Sequence, residues 1–418
     1  MIKISEKNLN VFLNDEKVGI LSKKSTGLFF SYDPHAKQAI SLSLPREGQT
    51  SPFFQNKVQF FIDNLIPEGD AFALVFKLFK PVSRNAFDIL YCIGQEVAGA
   101  LLFCEEDAIA PQNNVYRDVT NEVEAFLRTK DPRSIEEVVR ARFSLAGAQH
   151  KVAIYFADDR IFVPEDYSPT THILKPDSRE FPGTARNEHL CLDVAKRLGF
   201  PVCQHELLIR QGYDALLLGR YDRVRTNNTV RRLHQEDFCQ AMGLPPIFKY
   251  QSTHIGRYGE YGLVALLETA QAAHIDIADA LAKRCAFSFF VGNFDAHAKN
   301  YSLLYTDHGI ELAPLYDILC IPALGSFERE LSMDIGGSFN PDTISSNNFL
   351  MQGYDMEVYD IEAYANTLAD ILPDIVFDVA KEHAKIYGSH QIYDKIVHEC
   401  TQIAMQYKKL SQQNAREL

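Results

Sequence analysis

Residues 293–300, Asn293-Phe294-Asp295-Ala296-His297-Ala298-Lys299-Asn300, set a carboxylate five positions ahead of an amide, directly behind an apolar stretch at 277–290. A second carboxylate, Asp317, follows in Leu315-Tyr316-Asp317-Ile318, after strand-like runs at 301–305 and 310–312 joined by a turn at 306–309. Phosphoryl transfer asks a protein mainly for position and charge compensation, and two hard carboxylates with an amide oxygen around Mg²⁺ provide both. A protein-kinase catalytic loop uses the same order: an Asp orients the attacking hydroxyl, an Asn five residues on holds a metal, and an Asp beyond a hairpin takes the bridging Mg²⁺. On that spacing Asp295 reads as catalytic base, with Asn300 and Asp317 as metal ligands. An Asp/Asn-rich turn leading into a hairpin would contain the same residues without the chemistry.

Such a site also needs a cation on a strand. Lys175 ends the strand-like run 171–175, where it can reach ATP phosphates, and Glu188 on the following helix can pair with it. Read alone, Lys175 is equally a solvated strand-end lysine. The small-residue stretch Ser144-Leu145-Ala146-Gly147-Ala148-Gln149 precedes a strand that begins near Lys151. It lacks both the GxxxxGK[ST] and the GxGxxG pattern, so as a phosphate cradle it rests only on the close backbone approach that small residues allow. His150, His172, His234, His297 and His308 form no HExxH or HxH pair, which argues against a metal hydrolase. His297 reads as a packing residue of its loop, and 234–237 as a capped helix start.

The elements that must hold these groups are legible in outline. A hairpin is expected at 9–13 and 18–21, a helix over 60–69 stopped by Pro67 and Gly69, a boundary at 105–114 and a helix at 120–128. Strands follow at 151–155, 171–175, 207–209 and 215–218, with a helix at 184–198 capped by Thr184. Beyond Tyr221 the pattern is mainly helical, with helices at 277–290, 361–371 and 373–385. A strand-rich first half and a helix-rich second half predict a two-lobed α+β protein.

Composition narrows the class. The 418 residues contain 42 Lys+Arg against 55 Asp+Glu, a formal charge of -13 that opposes a mainly electrostatic grip on nucleic-acid phosphates. No apolar run approaches the ~20 residues of a membrane helix, and the first ten residues lack a signal-peptide core. Eight scattered cysteines without a CxxC pair fit buried thiols in a reducing cytoplasm.

Taken in order, Phe143–Lys151, 169–175, Asn187-Glu188, Arg220-Tyr221-Asp222-Arg223, 234–240, 295–300 and 316–318 resemble the HipA-type serine/threonine kinase toxins of bacterial toxin–antitoxin pairs. Residues 61–69 look like that family's first subdomain. The resemblance implies a two-lobed, protein-kinase-like fold: an amino-terminal subdomain at 1–110, a kinase N-lobe with an ATP-covering loop at 111–222, and a helical C-lobe with the catalytic loop at 223–418. It implies ATP and Mg²⁺ as cofactors, with Ala146, Gly147, Ala148, Gln149, Lys151, Lys175, Arg220, Tyr221 and Asp222 around the nucleotide and the region of Arg220–Asp222 as adenine hinge. It further implies autophosphorylation at Ser144, a helix-turn-helix antitoxin as partner, and operator DNA reached only through that antitoxin. The implied substrate is a translation-related protein such as glutamyl-tRNA synthetase. His150 stands where an acidic residue is common in the family, and Gly219 where Glu occurs. Two rival readings remain on the residues alone: a small-molecule or lipid kinase, because a DxHxxN loop also resembles that of phosphoinositide kinases, and a kinase-shaped corepressor that transfers no phosphate.

Overall fold

The computed structural model describes residues 7–46, 55–107, 115–129, 151–165, 167–210, 213–226, 229–251, 262–325 and 329–417. Strands β1 (Lys7–Leu13), β2 (Glu16–Lys24), β3 (Gly27–Tyr32) and β4 (Leu101–Cys104) form an antiparallel sheet in the order β3-β2-β1-β4. The expected hairpin is β1–β2, turning at Asn14 in the left-handed region with φ +54. Leu9, Val11, Leu21, Phe30 and Phe103 from this sheet pack on Val58, Phe61 and Phe87 of the helices Gln55–Asp63 and Ala86–Ile93. The helix expected at 60–69 instead ends at Asp63, and Gly69 opens a new one, Gly69–Phe79, with φ +54. The second helix forms because Ala71 and Val75, four apart, reach another core, the one beneath the next sheet.

That next sheet has six antiparallel strands in the order β5-β7-β6-β8-β10-β9: β5 (Tyr116–Asp118), β6 (Val152–Ala157), β7 (Arg160–Pro164), β8 (His172–Pro176), β9 (His205–Arg210) and β10 (Tyr213–Gly219). On β8, Lys175 faces Leu216 of β10. The helix Thr184–Arg197 crosses behind and is buried along most of its length. Its start is held by Asp177 rather than by Thr184 as N-cap. The Asp177 carboxylate accepts from the Gly183 and Ala185 amides and from the Thr184 hydroxyl at 2.9–3.1 Å. A carboxylate satisfies several orphan donors at a positive helix end, whereas one hydroxyl would satisfy a single donor.

A short hairpin, β11 (Arg223–Thr226) with β12 (Thr229–Arg232), leads into a mainly helical region. Residues 234–237 are a strand, β13 (His234–Asp237), rather than a helix start; only Asp237 caps, closing a box with Gln240 on the short helix Phe238–Met242. β13 is recruited by the hairpin that follows residues 293–300, β14 (Ser302–Thr306) and β15 (Gly309–Leu312), in the order β13-β14-β15. The helices expected at 361–371 and 373–385 are one, Ile361–Tyr387, with Pro373 inside. A mid-helix proline costs about 3 kcal/mol. Here a continuous buried stripe through Ala365, Leu368, Leu372, Val376, Val379 and His383 offsets that cost. This helix and Gln391–Glu417 pack with Ala278–Phe290 into the largest core. Among the described residues no helix is long and apolar enough to cross a membrane. All eight cysteines are unpaired and seven are buried.

Candidate active site

Between the helix Ala278–Phe290 and β14 the chain reverses at Gly292, φ +77, where a Cβ would stand 3.0 Å from Cys320 Sγ. That turn delivers Asp295. The Asn300 side-chain amide donates to the Asp295 carbonyl oxygen at 2.9 Å, and the Asn300 backbone amide to the His297 carbonyl at 2.8 Å. The five-residue spacing thus closes the loop on itself. Asn300 Oδ1 then has no hydrogen-bond donor among the described residues. His297 is buried edge-on against Tyr250, ring centroids 5.1 Å apart, and burial pulls its pKa down to about 3. It is a neutral packing residue, as its position implied.

The Tyr250 hydroxyl hydrogen-bonds the Asp295 carboxylate. Burial, and then the negative charge of Asp317, raise the Asp295 carboxyl to about 6. Asp317 lies just past β15 in the left-handed region at φ +58, which Asp tolerates better than most non-glycine residues. Burial disfavours its charge, but Lys175 and Lys151 more than compensate and hold the carboxyl well below the usual range.

Lys175 unites the two halves. Its Nζ lies 2.8 and 2.9 Å from the Glu188 oxygens and 2.7 Å from Asp317 Oδ1. Glu188 also accepts from the Asp317 backbone amide at 3.1 Å. One residue earlier, Asn187 latches the same helix to the segment after Asp317, donating to the Cys320 carbonyl at 2.9 Å and accepting from its amide at 2.8 Å. Lys151, half-buried, is brought down to about 8 by burial and by the charge of Lys175.

Comparison with known proteins decides the family. Residues 143–401 match the HipA-like C-terminal domain and residues 9–104 the HipA N-terminal domain. The chain belongs to the HipA family of kinases. A Sinorhizobium fredii protein, Y4mE, named as a kinase, is 33% identical over 342 residues, 78% of this chain and 80% of the relative. The Shewanella oneidensis serine/threonine-protein kinase toxin HipA is 28% identical over 358 residues, 80% of each chain. A chain from the solved Shewanella oneidensis complex of HipA, HipB and operator DNA shares the fold, with a TM-score of 0.82 and 23% identity over 98% of this chain and 99% of that one. This chain is accordingly a HipA-type serine/threonine kinase with the mixed, two-part architecture the sequence led one to expect.

The donor set fits Mg²⁺: the charge of Asp317 raises the cost of ionising Asp295, which a divalent cation nearby would relieve, and the amide oxygen of Asn300 accepts no hydrogen bond among the described residues. Ser144, Ala146, Gly147, Ala148 and Gln149 lie outside the described residues.

Arg220 and Asp222 are placed differently from what a nucleotide-contacting hinge suggests: their side chains turn away into the junction with the amino-terminal sheet domain. Arg220 reaches Glu96 at 2.5 Å, Asp222 at 2.8 Å and the Val97 carbonyl at 3.1 Å, while Asp222 accepts from the Gly99 amide at 2.7 Å. Tyr221 stacks on Tyr316, centroids 5.6 Å apart, and its hydroxyl meets Gln235.

Three contributors escaped the sequence. Glu96 accepts from Arg220, Arg223, Arg232 and Thr170 inside the protein. Lys299 ties the catalytic loop to Asn64 at 2.8 Å and to Asp237 at 3.1 Å. Tyr250 supports Asp295. Only Lys299 had a signal, its place inside the loop motif; a lone Glu before a glycine turn and a Tyr after a short turn of helix have none.

Proposed function

We propose that this chain is an ATP- and Mg²⁺-dependent serine/threonine protein kinase acting as the toxin of a pair with a helix-turn-helix antitoxin, working in the cytoplasm. The observation that carries the reading is the Lys175–Asp317 contact at 2.7 Å, with Glu188 behind it. The contact pairs Lys175, as the phosphate-binding cation, with Asp317, as the metal-binding carboxylate, and the charge of Asp317 acts on Asp295, the general base.

Lys175, oriented by Glu188, holds the phosphates, with Lys151 adding positive charge nearby. Asn300 and Asp317 would hold Mg²⁺, which when bound neutralises charge on the transferring phosphoryl group. Asp295, its carboxylate steered by Tyr250, accepts the proton of the substrate hydroxyl as that oxygen attacks. At neutral pH a carboxyl near 6 is mostly ionised and therefore competent.

The finer parts of the proposal follow the family. Ser144 is the autophosphorylation site: phosphate there adds about −1.5 to −2 charges beside the nucleotide, which opposes ATP binding and limits activity. Ala146, Gly147, Ala148 and Gln149 cover the phosphates, and Arg220, Tyr221 and Asp222 form the hinge through backbone atoms. The protein substrate is translation-related, with glutamyl-tRNA synthetase the first candidate. Operator DNA is reached only through the antitoxin, for which the -13 charge of this chain is one reason. The working units are 1–110, 111–222 and 223–418.

Incubation with labelled ATP and Mg²⁺ tests the reading. Transfer of label by the wild type and its loss in Asp295→Gln support it; equal labelling by both removes the kinase assignment, and no labelling by wild type together with operator binding in complex with a partner favours the corepressor.

A further inference from the structure

On the far side of the helix that carries Glu188, three imidazoles gather round one carboxylate. His189 and Asp193 are four apart on Thr184–Arg197, His205 begins β9, and His383 comes from the last turns of Ile361–Tyr387. His383 Nε2 stands 2.8 Å and His189 Nε2 4.0 Å from Asp193 Oδ2, while His205 Nε2 stands 3.1 Å from Asp193 Oδ1. The ring centroids of His189 are 4.7 Å from those of His383 and 5.2 Å from those of His205.

As core packing this is a costly choice. His189 and His383 are each 3% exposed, and the Nδ1 atom of each has no hydrogen-bond partner among the described residues. His189 Nε2 faces the carboxylate from beyond hydrogen-bond distance, so the ring points at Asp193 with a gap between them. Burying imidazoles without partners costs free energy that apolar side chains of similar size would not. An ion between the Nε2 atoms and the carboxylate would partner the His189 nitrogen that stands off from Asp193; the two Nδ1 atoms play no part in that fit. Ligand atoms on a tetrahedral zinc lie about 3.3 Å apart, given bonds of about 2.0–2.1 Å, and the 2.8 and 4.0 Å separations straddle that spacing.

We propose that His189, His383 and Asp193 Oδ2 form a site for a divalent transition metal of the zinc class. The three donor groups already lie within 4.8 Å of one another. His205 supports the site: it holds Asp193 by the other oxygen and is itself fixed by the Cys203 carbonyl at 2.9 Å, the outer-shell arrangement that orients metal-ligating carboxylates. Asp193 remains 33% exposed, which leaves a route of entry and room for a solvent ligand in the fourth position. Two nitrogen donors disfavour Mg²⁺, which prefers oxygen, so this site is chemically separate from the one formed by Asn300 and Asp317. Its consequence is mechanical: the ion ties the Glu188-bearing helix to Ile361–Tyr387.

The test is metal binding by the full-length protein stripped with chelator. Co²⁺ should give tetrahedral visible absorption at one equivalent, Zn²⁺ should displace it with micromolar or tighter affinity and raise Tm, and excess Mg²⁺ should not compete. His189→Gln and His383→Gln, confirmed as folded by circular dichroism, should weaken Zn²⁺ binding at least 100-fold, whereas His398→Gln, on the helix Gln391–Glu417 and outside the cluster, should bind as wild type. Absence of the Co²⁺ spectrum and of any Tm change with Zn²⁺ in folded wild type overturns the proposal without reference to the variants. So does undiminished affinity in folded His189→Gln and His383→Gln.

Discussion

Glu96 reaches the Arg223 guanidinium at 2.7 Å across the junction between the amino-terminal sheet domain and the kinase body, with both side chains 1% exposed. Burial disfavours the Glu96 charge, and the attraction of Arg223, Arg220 and Arg232 overcomes it, holding the carboxyl far below its usual range. Glu96→Ala would leave three arginines short of their shared counter-ion. Removing one partner of a buried ion pair typically costs about 3–5 kcal/mol. Urea unfolding should show at least that loss; a change below 1 kcal/mol would mean the cluster contributes no cohesion.

Asp295→Gln should keep the fold and lose phosphoryl transfer by about 10²–10⁴-fold or more, the range for a general base. Asp317→Gln should lose transfer and also weaken Mg²⁺-dependent ATP binding, because it removes a metal ligand and the partner of Lys175. ATP titration by calorimetry, with and without Mg²⁺, separates the two; identical ATP affinity in both variants would contradict the assigned roles.

Glu188→Gln should retain binding of the protein substrate and lower turnover, since Lys175 would keep Asp317 but lose the pair that fixes its position. The drop should be smaller than for Lys175→Met. Steady-state kinetics of both variants against ATP measures this, and a larger defect in Glu188→Gln would reverse the order of dependence.

Acidity should act twice, with opposite signs. Catalysis needs ionised Asp295, so turnover should fall as pH drops through about 6. Stability should move the other way through Glu236, which burial pushes up to about 7 although Ser41, Tyr305 and the Leu42 amide all donate to it. A folded pKa above the unfolded one contributes stability that is complete below the unfolded value, 4.5, and lost as pH rises through about 7. Relative to Glu236→Gln, the wild type should lose on the order of 3 kcal/mol between pH 4 and pH 8. A gap independent of pH would show that Glu236 titrates alike in the folded and unfolded states.

What the sequence made legible was local. Asp295 and Asn300 are five apart and close one loop, Asp317 follows a hairpin with a clear turn, and Lys175 and Glu188 sit on consecutive elements, so spacing brings together the members of each set, while the 142 positions between Lys175 and Asp317 are bridged only by the resemblance to a kinase. Other contacts across long separations left no trace. Glu96 meets arginines more than 120 positions on, and His383 meets Asp193 across 190. Local propensity also lost to tertiary packing twice: Pro373 sits within a helix because its buried stripe is unbroken, and 234–236 form a strand because β14 presents an edge.

Lys299 donates to Asn64 Oδ1 at 2.8 Å and its carbonyl at 3.1 Å, so a residue between Asp295 and Asn300 is fastened to the amino-terminal domain. The two matched family segments are therefore separable as stretches of sequence but not as inherited parts. A recombination event that moved 143–401 onto another protein would carry every catalytic side chain and leave behind the peg on which their loop hangs. Of the two anchors of Lys299, Asp237 would travel with such a segment and Asn64 would not.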